Sequence, residues 1–361
     1  MPRFSFCGLV SGRMRRHACL LGLFLLSACG VLYTIYHVKP QDSHSQQGAA
    51  LFQVPQLIST TKTVTLSANA TESDVINNVR SYTSGLPKTN EVTVVTAYFN
   101  LGQLDKAGGE GRYTPNLYKK WMTIFGDLDN RLIVFADAQD TVDLFKRIRA
   151  RYPPERTTIF LVKRQELWAF RLEKEIAAIY SQPNYPKHPP NTINPLYSCA
   201  MHAKFELVQR VIRERLYTTP FIAWLDIGLF RGEVGKNQTI HLTAPTDLDR
   251  TKVGYSEVNK FESMSARDVI ARNKVWVGGA SFVGTPDVVY EYCSDYRRAV
   301  RLLLDMKLMS TDQQVIYIMY LPAFLIKFQP KVQLQLYRPG WFDGFQGSDW
   351  FFIGYVMKDT P

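Results

Sequence analysis

The sequence contains few of the side chains that carry metal or nucleophilic catalysis. It has six histidines in 361 residues, and none follows His241. It also lacks the G-x-S-x-G, Walker, G-x-G-x-x-G, HExxH and C-x-x-C motifs. This scarcity argues against zinc catalysis and against a Ser-His-Asp triad.

The basic residues are not clustered, although the net charge is +11. No zinc finger, RRM signature or basic amphipathic helix is present, so we expect no nucleic-acid partner. Four of the positive charges, Arg3, Arg13, Arg15 and Arg16, precede the first long apolar run. Their position before this run is typical of the residues that flank a membrane-spanning segment.

Residues 18–36 contain no charged side chain, and the run has close to the ~20 residues that a helix needs to cross a bilayer. Positive residues before such a run place that end in the cytoplasm. The sequence therefore predicts a cytoplasmic tail (1–17), a transmembrane signal anchor (18–36) and a single-pass type II membrane protein of the secretory pathway, in the Golgi.

Two alternatives to the anchor remain open. A cleaved signal peptide usually has an apolar core of only ~7–15 residues, which is shorter than this one. The string LSAC, ending at Cys29, resembles a bacterial lipoprotein processing site, but the apolar run continues past Cys29. The retained anchor is the prediction that the length of the run favours.

Residues 37–90 are rich in Ser, Thr, Gln and Asn, which predicts a flexible stem. Asn69 and Asn237 each begin an N-glycosylation triplet, as expected of a protein in the secretory lumen. Of the five cysteines, only Cys199 and Cys293 lie beyond the apolar run. They form either a disulfide in an oxidising compartment or two buried thiols.

From residue 91 onward, short β-branched and aromatic runs alternate with segments of helical period. This order predicts a mostly parallel sheet flanked by helices, in a single globular domain over residues 91–361. The carboxyl ends of parallel strands meet at one edge of the sheet, where ligands bind. Thr96 and Tyr98, Asp137 and Asp226 fall at that edge.

Asp226 ends the apolar run FIAWL and is followed by Ile-Gly. A carboxylate in this position could hold a divalent cation against a diphosphate, since hard cations take oxygen ligands. The structural alternative is a turn at the end of the strand, with Gly228 supplying conformational freedom. The sequence leaves both open.

Three further groups of residues are candidates for the site. Asp312 and Gln313 open a predicted helix, where an acid in the first turn is also a normal capping feature. Trp276, Gly278 and Gly279 allow close approach of a ligand or form a bulge. His202 and Lys204 lie on the helix before FIAWL and could both contact phosphate, and the alternative for Lys204 is a solvated side chain.

Five motifs taken in chain order carry a family resemblance: VTVVTAYFN, LIVFAD, FIAWLDIG, VWVGG and STDQQ. Together they resemble the HtrL/YibB family and, more distantly, the GT-A nucleotide-sugar transferases. The resemblance covers residues 91–336, and WLDIG is its most specific part.

The resemblance implies a GT-A-like fold and a hexosyltransferase-like glycosyltransferase that moves a sugar from a nucleotide-sugar donor to a glycan acceptor. Thr96 and Tyr98 would line the nucleotide, with Asp137 and Lys204 also on the donor side. Asp226 would face the diphosphate and a Mn²⁺ or Mg²⁺ ion.

Trp276, Gly278 and Gly279 would shape the sugar side of this site, and Asp312 with Gln313 would be catalytic, Asp312 as the acceptor base. Gly228 replaces the second carboxylate of the Asp-x-Asp pattern, and no late histidine is present. The alternative function is a sugar- or nucleotide-binding protein on the same fold that has lost catalysis.

Overall fold

The computed structural model describes residues 71–105, 112–340, 345 and 347–359. The predicted tail (1–17), the anchor (18–36), the first part of the stem and the Asn69 triplet lie outside these residues. Within the part of the chain described, no helix is both long and apolar enough to cross a membrane.

Seven strands form one twisted sheet, and two short strands pair separately. In chain order the strands are β1 (Val92–Tyr98), β2 (Leu104–Asp105), β3 (Arg112–Tyr113), β4 (Leu132–Ala136), β5 (Thr157–Leu161), β6 (Phe221–Leu225), β7 (Lys252–Glu257), β8 (Val277–Gly284) and β9 (Gln333–Tyr337).

The order across the large sheet is β5-β4-β1-β6-β8-β7-β9. All neighbouring pairs are parallel except the two that β8 makes with β6 and β7. The prediction of a mostly parallel sheet flanked by helices is confirmed.

The helices, in chain order, are α1 (Glu72–Ser84), α2 (Pro115–Met122), α3 (Gln139–Ile148), α4 (Trp168–Arg171), α5 (Glu173–Tyr180), α6 (Pro195–Arg213), α7 (Ala266–Ala271), α8 (Pro286–Asp305), α9 (Asp312–Met319), α10 (Pro322–Leu325) and α11 (Phe352–Asp359).

The sheet separates two hydrophobic cores. Val94 and Val95 are neighbours in β1 and contribute to different cores, because successive side chains of a strand point to opposite faces. One core contains residues of α1, α4, α5, α6, α8 and α9, and the other contains residues of α2, α3 and α11. A central strand that is buried on both faces has a continuous apolar sequence. The sequence LIVFA of β4 is an example.

The prediction of a flexible stem up to residue 90 is wrong for its last part. Residues 72–84 form helix α1, which Thr71 begins with a capping box closed by Asp74. Val75, Ile76 and Val79 of this helix are buried in the core that contains α8. Burial of this apolar stripe holds the segment on the domain.

Cys199 in α6 and Cys293 in α8 are both buried free thiols, so the disulfide prediction is wrong and its alternative holds. Burial raises the pKa of the Cys199 thiol to about 12. Both side chains therefore act as small apolar groups in the core.

Candidate functional site

The sheet has a switch point between β1 and β6. From β1 the chain builds outward to β4 and β5 on one side, and then returns to place β6 on the other side. In open α/β sheets, ligands bind in the crevice beyond the carboxyl ends of the strands at such a point. Thr96 joins the two strands there, since its hydroxyl donates to the Leu225 carbonyl at 2.6 Å.

A cavity of about 540 Å³ opens at this crevice. Its size lies within the ~300–1,000 Å³ usual for small-molecule sites. It brings together six of the residues predicted from sequence: Tyr98, Lys204, Asp226, Gly279, Asp312 and Gln313.

Asp226 follows β6 directly and is held in a defined orientation. Its backbone N–H donates to the Ala280 carbonyl at 2.8 Å, which extends the pairing with β8 by one residue. The indole N–H of Trp224 donates to Oδ1 at 2.7 Å. The side chain stays 33% exposed, so this carboxylate can reach a ligand in the cavity.

Lys204 connects Asp226 to a second carboxylate. Its ammonium lies 3.3 Å from Oδ1 of Asp226 and 2.8 Å from Oδ2 of Asp312, and it donates to the Gly279 carbonyl at 2.6 Å. The Lys204 and Asp312 side chains are 1% and 3% exposed. A buried charge needs such partners, so Lys204 is not a solvated side chain.

For both Lys204 and Asp312, burial and the charges of neighbouring groups shift the pKa in opposite directions. Burial lowers the pKa of Lys204, but the carboxylates of Asp226 and Asp312 outweigh that effect and raise it. Lys204 is therefore cationic at neutral pH. Burial raises the pKa of Asp312, and the Lys204 ammonium offsets this only in part.

Gly279 has a packing reason to be glycine. A Cβ built there would lie 2.3 Å from Oδ2 of Asp312. The missing side chain lets the carboxylate at the start of α9 lie against β8. Gly228, next to Asp226, faces the Trp121 ring, which a Cβ would approach at 3.3 Å.

Aromatic rings from α2 and from the strand ends form one wall of the cavity. The ring centroids of Tyr98 and Tyr118 are 5.4 Å apart, and those of Tyr118 and Trp121 are 5.2 Å apart. Burial, with the nearby Asp137 carboxylate, raises the pKa of Tyr98 to about 12, so its hydroxyl stays protonated. Such rings provide flat apolar surfaces with polar edges.

Arg231 supplies a second cation at the cavity. Its guanidinium carbon lies 5.6 Å from the ring centroid of Trp121 and 4.9 Å from that of Phe351. The planar group is thus held between two rings, which is a favourable cation–π arrangement. The site combines one reachable carboxylate, one buried ammonium and one stacked guanidinium.

Four predicted residues do not line this cavity. Thr96 is buried between strands, and Asp137 pairs with Arg164 at 3.0 Å and accepts from the Asn100 N–H at 3.1 Å. Trp276 packs on Phe261, with ring centroids 4.8 Å apart. Gly278 lies against the backbone of Trp350, whose carbonyl oxygen a Cβ would approach at 2.7 Å.

His202 also lies away from the cavity. It is fully buried, its Nδ1 is 2.7 Å from the Tyr296 hydroxyl, and burial lowers its pKa to about 3. The predicted phosphate contact of His202 is therefore wrong.

Several lining residues were not predicted from sequence: Tyr113, Tyr118, Trp121, Tyr197 and Arg231. Tyr118 and Trp121 carry a weak signal, because they lie three residues apart on one helix face without being fully buried. Arg231 follows Asp226 closely in sequence but carries no pattern that separates it from a surface arginine.

Within the described residues, no group of three or more His, Cys, Asp or Glu side chains could hold a metal ion. Asp226 is the carboxylate that could contribute. The Trp224 indole N–H and the Lys204 ammonium both contact its Oδ1. One carboxylate together with the phosphates of a substrate is a common way to bind Mg²⁺, so Asp226 would be the residue to hold a Mg²⁺ or Mn²⁺ ion here.

Asn237 is exposed and has a positive φ of 49°, in the loop that follows a short helical segment (Arg231–Glu233) and its turn. This exposure suits a glycosylation acceptor, and its modification stays a prediction.

The fold and the cavity define an α/β protein with a cavity at the switch point of its sheet. The model of a family described as "Bacterial protein of unknown function (HtrL_YibB)" matches residues 90–348, and the chain belongs to this family. It is similar to Protein HtrL of Escherichia coli (strain K12), with 22% identity over 248 residues that cover 64% of this chain and 84% of the relative. The predicted family is confirmed.

Proposed function

We propose that the protein is a glycosyltransferase that moves a sugar from a nucleotide-sugar donor to a glycan acceptor. One observation carries the proposal: the Lys204–Asp226–Asp312 cluster lies at the base of an aromatic-walled cavity at the switch point of the sheet. The cavity is large enough for a nucleotide and a sugar.

The topology supports a GT-A-like fold. If the seven strands of the large sheet are numbered 1 to 7 in chain order, their order across the sheet is 3-2-1-4-6-5-7. Strand 6 of this numbering is β8, which is antiparallel to both of its neighbours. Strands 1 and 4 of this numbering, β1 and β6, lie side by side in the sheet. This arrangement suits such a transferase, because a nucleotide-sugar donor would lie across the carboxyl ends of these two strands.

Each part of the donor has suitable partners in the cavity. The rings of Tyr98, Tyr118 and Trp121 offer stacking surfaces for the base or the sugar. Arg231, stacked between Trp121 and Phe351, presents donors for phosphate oxygens.

Asp226 faces the diphosphate in this proposal. A Mn²⁺ or Mg²⁺ ion bound with the donor would supply charge neutralisation for the departing diphosphate. Lys204 positions Asp226 by contact with Oδ1, and Trp224 fixes the rotation of the same carboxylate. Asp312 also holds the Lys204 ammonium in place from its buried position against Gly279.

The acceptor base predicted at Asp312, with Gln313 beside it, remains part of the proposal. Both residues line the cavity. The raised pKa of Asp312 moves it toward the range in which a carboxyl group transfers protons efficiently at neutral pH. Its small exposure requires that an acceptor hydroxyl approach along the floor of the cavity.

The cellular setting is part of the same proposal. The predicted anchor would place the domain in the secretory lumen, in the Golgi, where Asn69 and Asn237 become acceptors for glycans. Mass spectrometry of the N-terminus tests this placement. A mature chain that begins with an acylated Cys29 would replace the anchor with a lipid.

The proposal is tested by a thermal-shift screen of the full chain against UDP, GDP and CMP, each with and without Mn²⁺. We expect one nucleotide to raise the melting temperature and Asp226→Asn to remove that rise while the variant stays folded. A rise that needs Mn²⁺ assigns the diphosphate to a cation at Asp226. A rise without it assigns the diphosphate to Arg231 and Lys204.

The second candidate is a binding protein without transferase activity, favoured by the single carboxylate of the WLDIG motif. It predicts nucleotide binding without release of nucleotide from any sugar donor in the presence of acceptors. No shift with any nucleotide would contradict the transferase and would leave, of the second candidate, only a sugar-binding protein.

A further inference from the structure

A second cavity of about 400 Å³ lies beside the first, and the two share a wall. Asn273, Val275 and Trp350 line both of them. The second cavity is otherwise lined by Asn259, Lys260, Glu262, Lys274 and Tyr317. Two of its lining side chains, Tyr317 and Trp350, are aromatic, and the others apart from Val275 are polar or charged.

The wall of the second cavity is held rigid by hydrogen bonds. The Tyr317 hydroxyl accepts from the Glu262 N–H and donates to the Glu262 carbonyl, each at 2.9 Å. The Asn259 side-chain amide donates to the Val275 carbonyl at 3.0 Å. These contacts fix the loop between β7 and α7 to α9 and to the residues before β8, so the cavity is preorganised.

The junction between the cavities is also fixed. Asn273 has a positive φ of 48°, and its side-chain oxygen accepts from the Asn191 amide at 3.0 Å. On the opposite side, Trp350 lies close to β8 because Gly278 has no side chain there. The shared wall is thus built from a strained turn and a closely packed aromatic segment.

The charge of the second cavity is positive. Lys274 lies 3.4 Å from the Glu262 carboxylate, which balances it. Lys260 is exposed and has no ion pair with any residue in the described ranges. A ligand here meets one unbalanced ammonium together with the amide groups of Asn259 and Asn273, which suit the hydroxyls and the acidic group of a charged sugar.

We infer that the second cavity is the acceptor subsite and that it takes an anionic sugar, one that carries a carboxylate, phosphate or sulfate group. This inference rests on the proposed function, since it assigns the donor to the first cavity. The anionic group contacts Lys260, and the sugar hydroxyl that receives the transferred group points past Asn273 and Trp350 toward Asp226 and Asp312.

Ligand-observed NMR titrations of the full chain test the inference with glucuronate, glucose 6-phosphate, glucose 6-sulfate and neutral glucose. We expect at least one acidic sugar to bind ten times more tightly than glucose. The acid that binds best identifies the anionic group.

The test variant combines Lys260→Ala with Lys274→Ala, and its control combines Lys88→Ala with Lys327→Ala, which removes the same charge from exposed positions elsewhere. We expect the test variant to lose about tenfold in affinity for the acidic sugar and to keep its nucleotide affinity. The control should retain both.

Equal affinity for acidic and neutral sugars, no sugar binding, or an equal loss in test and control variants would each overturn the inference. These results are separate from the nucleotide screen. Binding of acidic sugar that depends on Lys260 and Lys274, without any nucleotide binding, would leave the subsite standing and contradict the donor site.

Discussion

The ammonium nitrogen of Lys204 lies 2.8 Å from Oδ2 of Asp312, and both side chains are almost wholly buried although they are 108 residues apart in the chain. This pair joins α6 to the start of α9 beneath β8. It also sets the position of the ammonium next to Asp226, so the stability of the domain and the geometry of the site depend on the same contact.

Replacing Lys204 with methionine should therefore destabilise the fold. Lys204→Met leaves the buried Asp312 carboxylate without its cation, and breaking such a pair typically costs about 3–5 kcal/mol. We expect a loss of roughly 3 kcal/mol in the free energy of unfolding, measured by denaturant titration.

The control for this change is the double variant Lys204→Met, Asp312→Asn, which removes the buried unpaired charge and leaves only the partly exposed Asp226 carboxylate without its cation. It should recover part of the lost stability. A single variant as stable as the wild-type protein would show that the ion pair does not hold α6 and α9 together.

Gly279 is predicted to tolerate no side chain. Gly279→Ala places a Cβ 2.3 Å from the Asp312 carboxylate, which packing from Lys204 prevents from moving. Such overpacking usually costs about 1–3 kcal/mol. Gly85→Ala is the matched control, since its Cβ would lie 3.5 Å from the nearest atom. Equal melting temperatures for the two variants would refute the close packing at Gly279.

Much of the sheet could be predicted from the sequence. The runs that form β4 and β6 are continuously apolar and β1 is rich in β-branched residues, because these central strands are buried on both faces. Their carboxyl ends are set by chain direction alone. This is why Tyr98 and Asp226 could be placed at one edge, and both line the cavity.

The rest of the site depends on packing between distant elements. Nothing local in α6 shows that Lys204 turns inward, and the helical period only places its Cα near the sheet. Tyr118 and Trp121 reach the cavity because α2 packs with α3 in the core on that face of the sheet, which the order of the elements does not reveal. Thr96 and Asp137 lie at the correct strand ends, but their side chains are used to join strands and to pair with Arg164.

Helix α1 was missed although its sequence carries two signals. Thr71 and Asp74 have the spacing of a capping box, and Val75, Ile76 and Val79 share one face. We expect a chain that begins at residue 91 to be less stable than one that begins at residue 71, by on the order of 3 kcal/mol after the cost of ordering the helix. Equal denaturation midpoints for the two chains would show that α1 does not stabilise the domain and belongs to the stem.

Glu233 should make stability depend on acid pH. It accepts from Lys236, Gln238 and Lys358, and so fastens α11 to the segment after β6. Burial raises the pKa of Glu233, but these hydrogen bonds outweigh it and lower the pKa from 4.5 to about 2. A lowered carboxyl pKa contributes stability above the unfolded value, and that contribution is lost as pH falls.

We expect the free energy of unfolding to fall by about 2 kcal/mol between roughly pH 5 and pH 2. This value allows for solvent screening of the exposed Lys236. It is measured as the free energy of unfolding at each pH, and Glu233→Gln should flatten the dependence in this range. Glu155→Gln, which removes an exposed carboxylate that has no ion pair with any described residue, serves as the control for the change in charge. Identical curves for both variants would contradict the role of Glu233.

The central claim is that Asp226 faces a nucleotide-sugar donor in the cavity at the switch point. Isothermal titration of the nucleotide that gives the largest thermal shift, into the wild-type protein, Asp226→Asn and Asp137→Asn, tests it most directly. Both variants remove one carboxylate charge at a strand end, but only Asp226 lines the cavity. We predict at least tenfold weaker binding for Asp226→Asn and wild-type affinity for Asp137→Asn. No binding by the wild-type protein, or equal affinities for the two variants, would contradict the account.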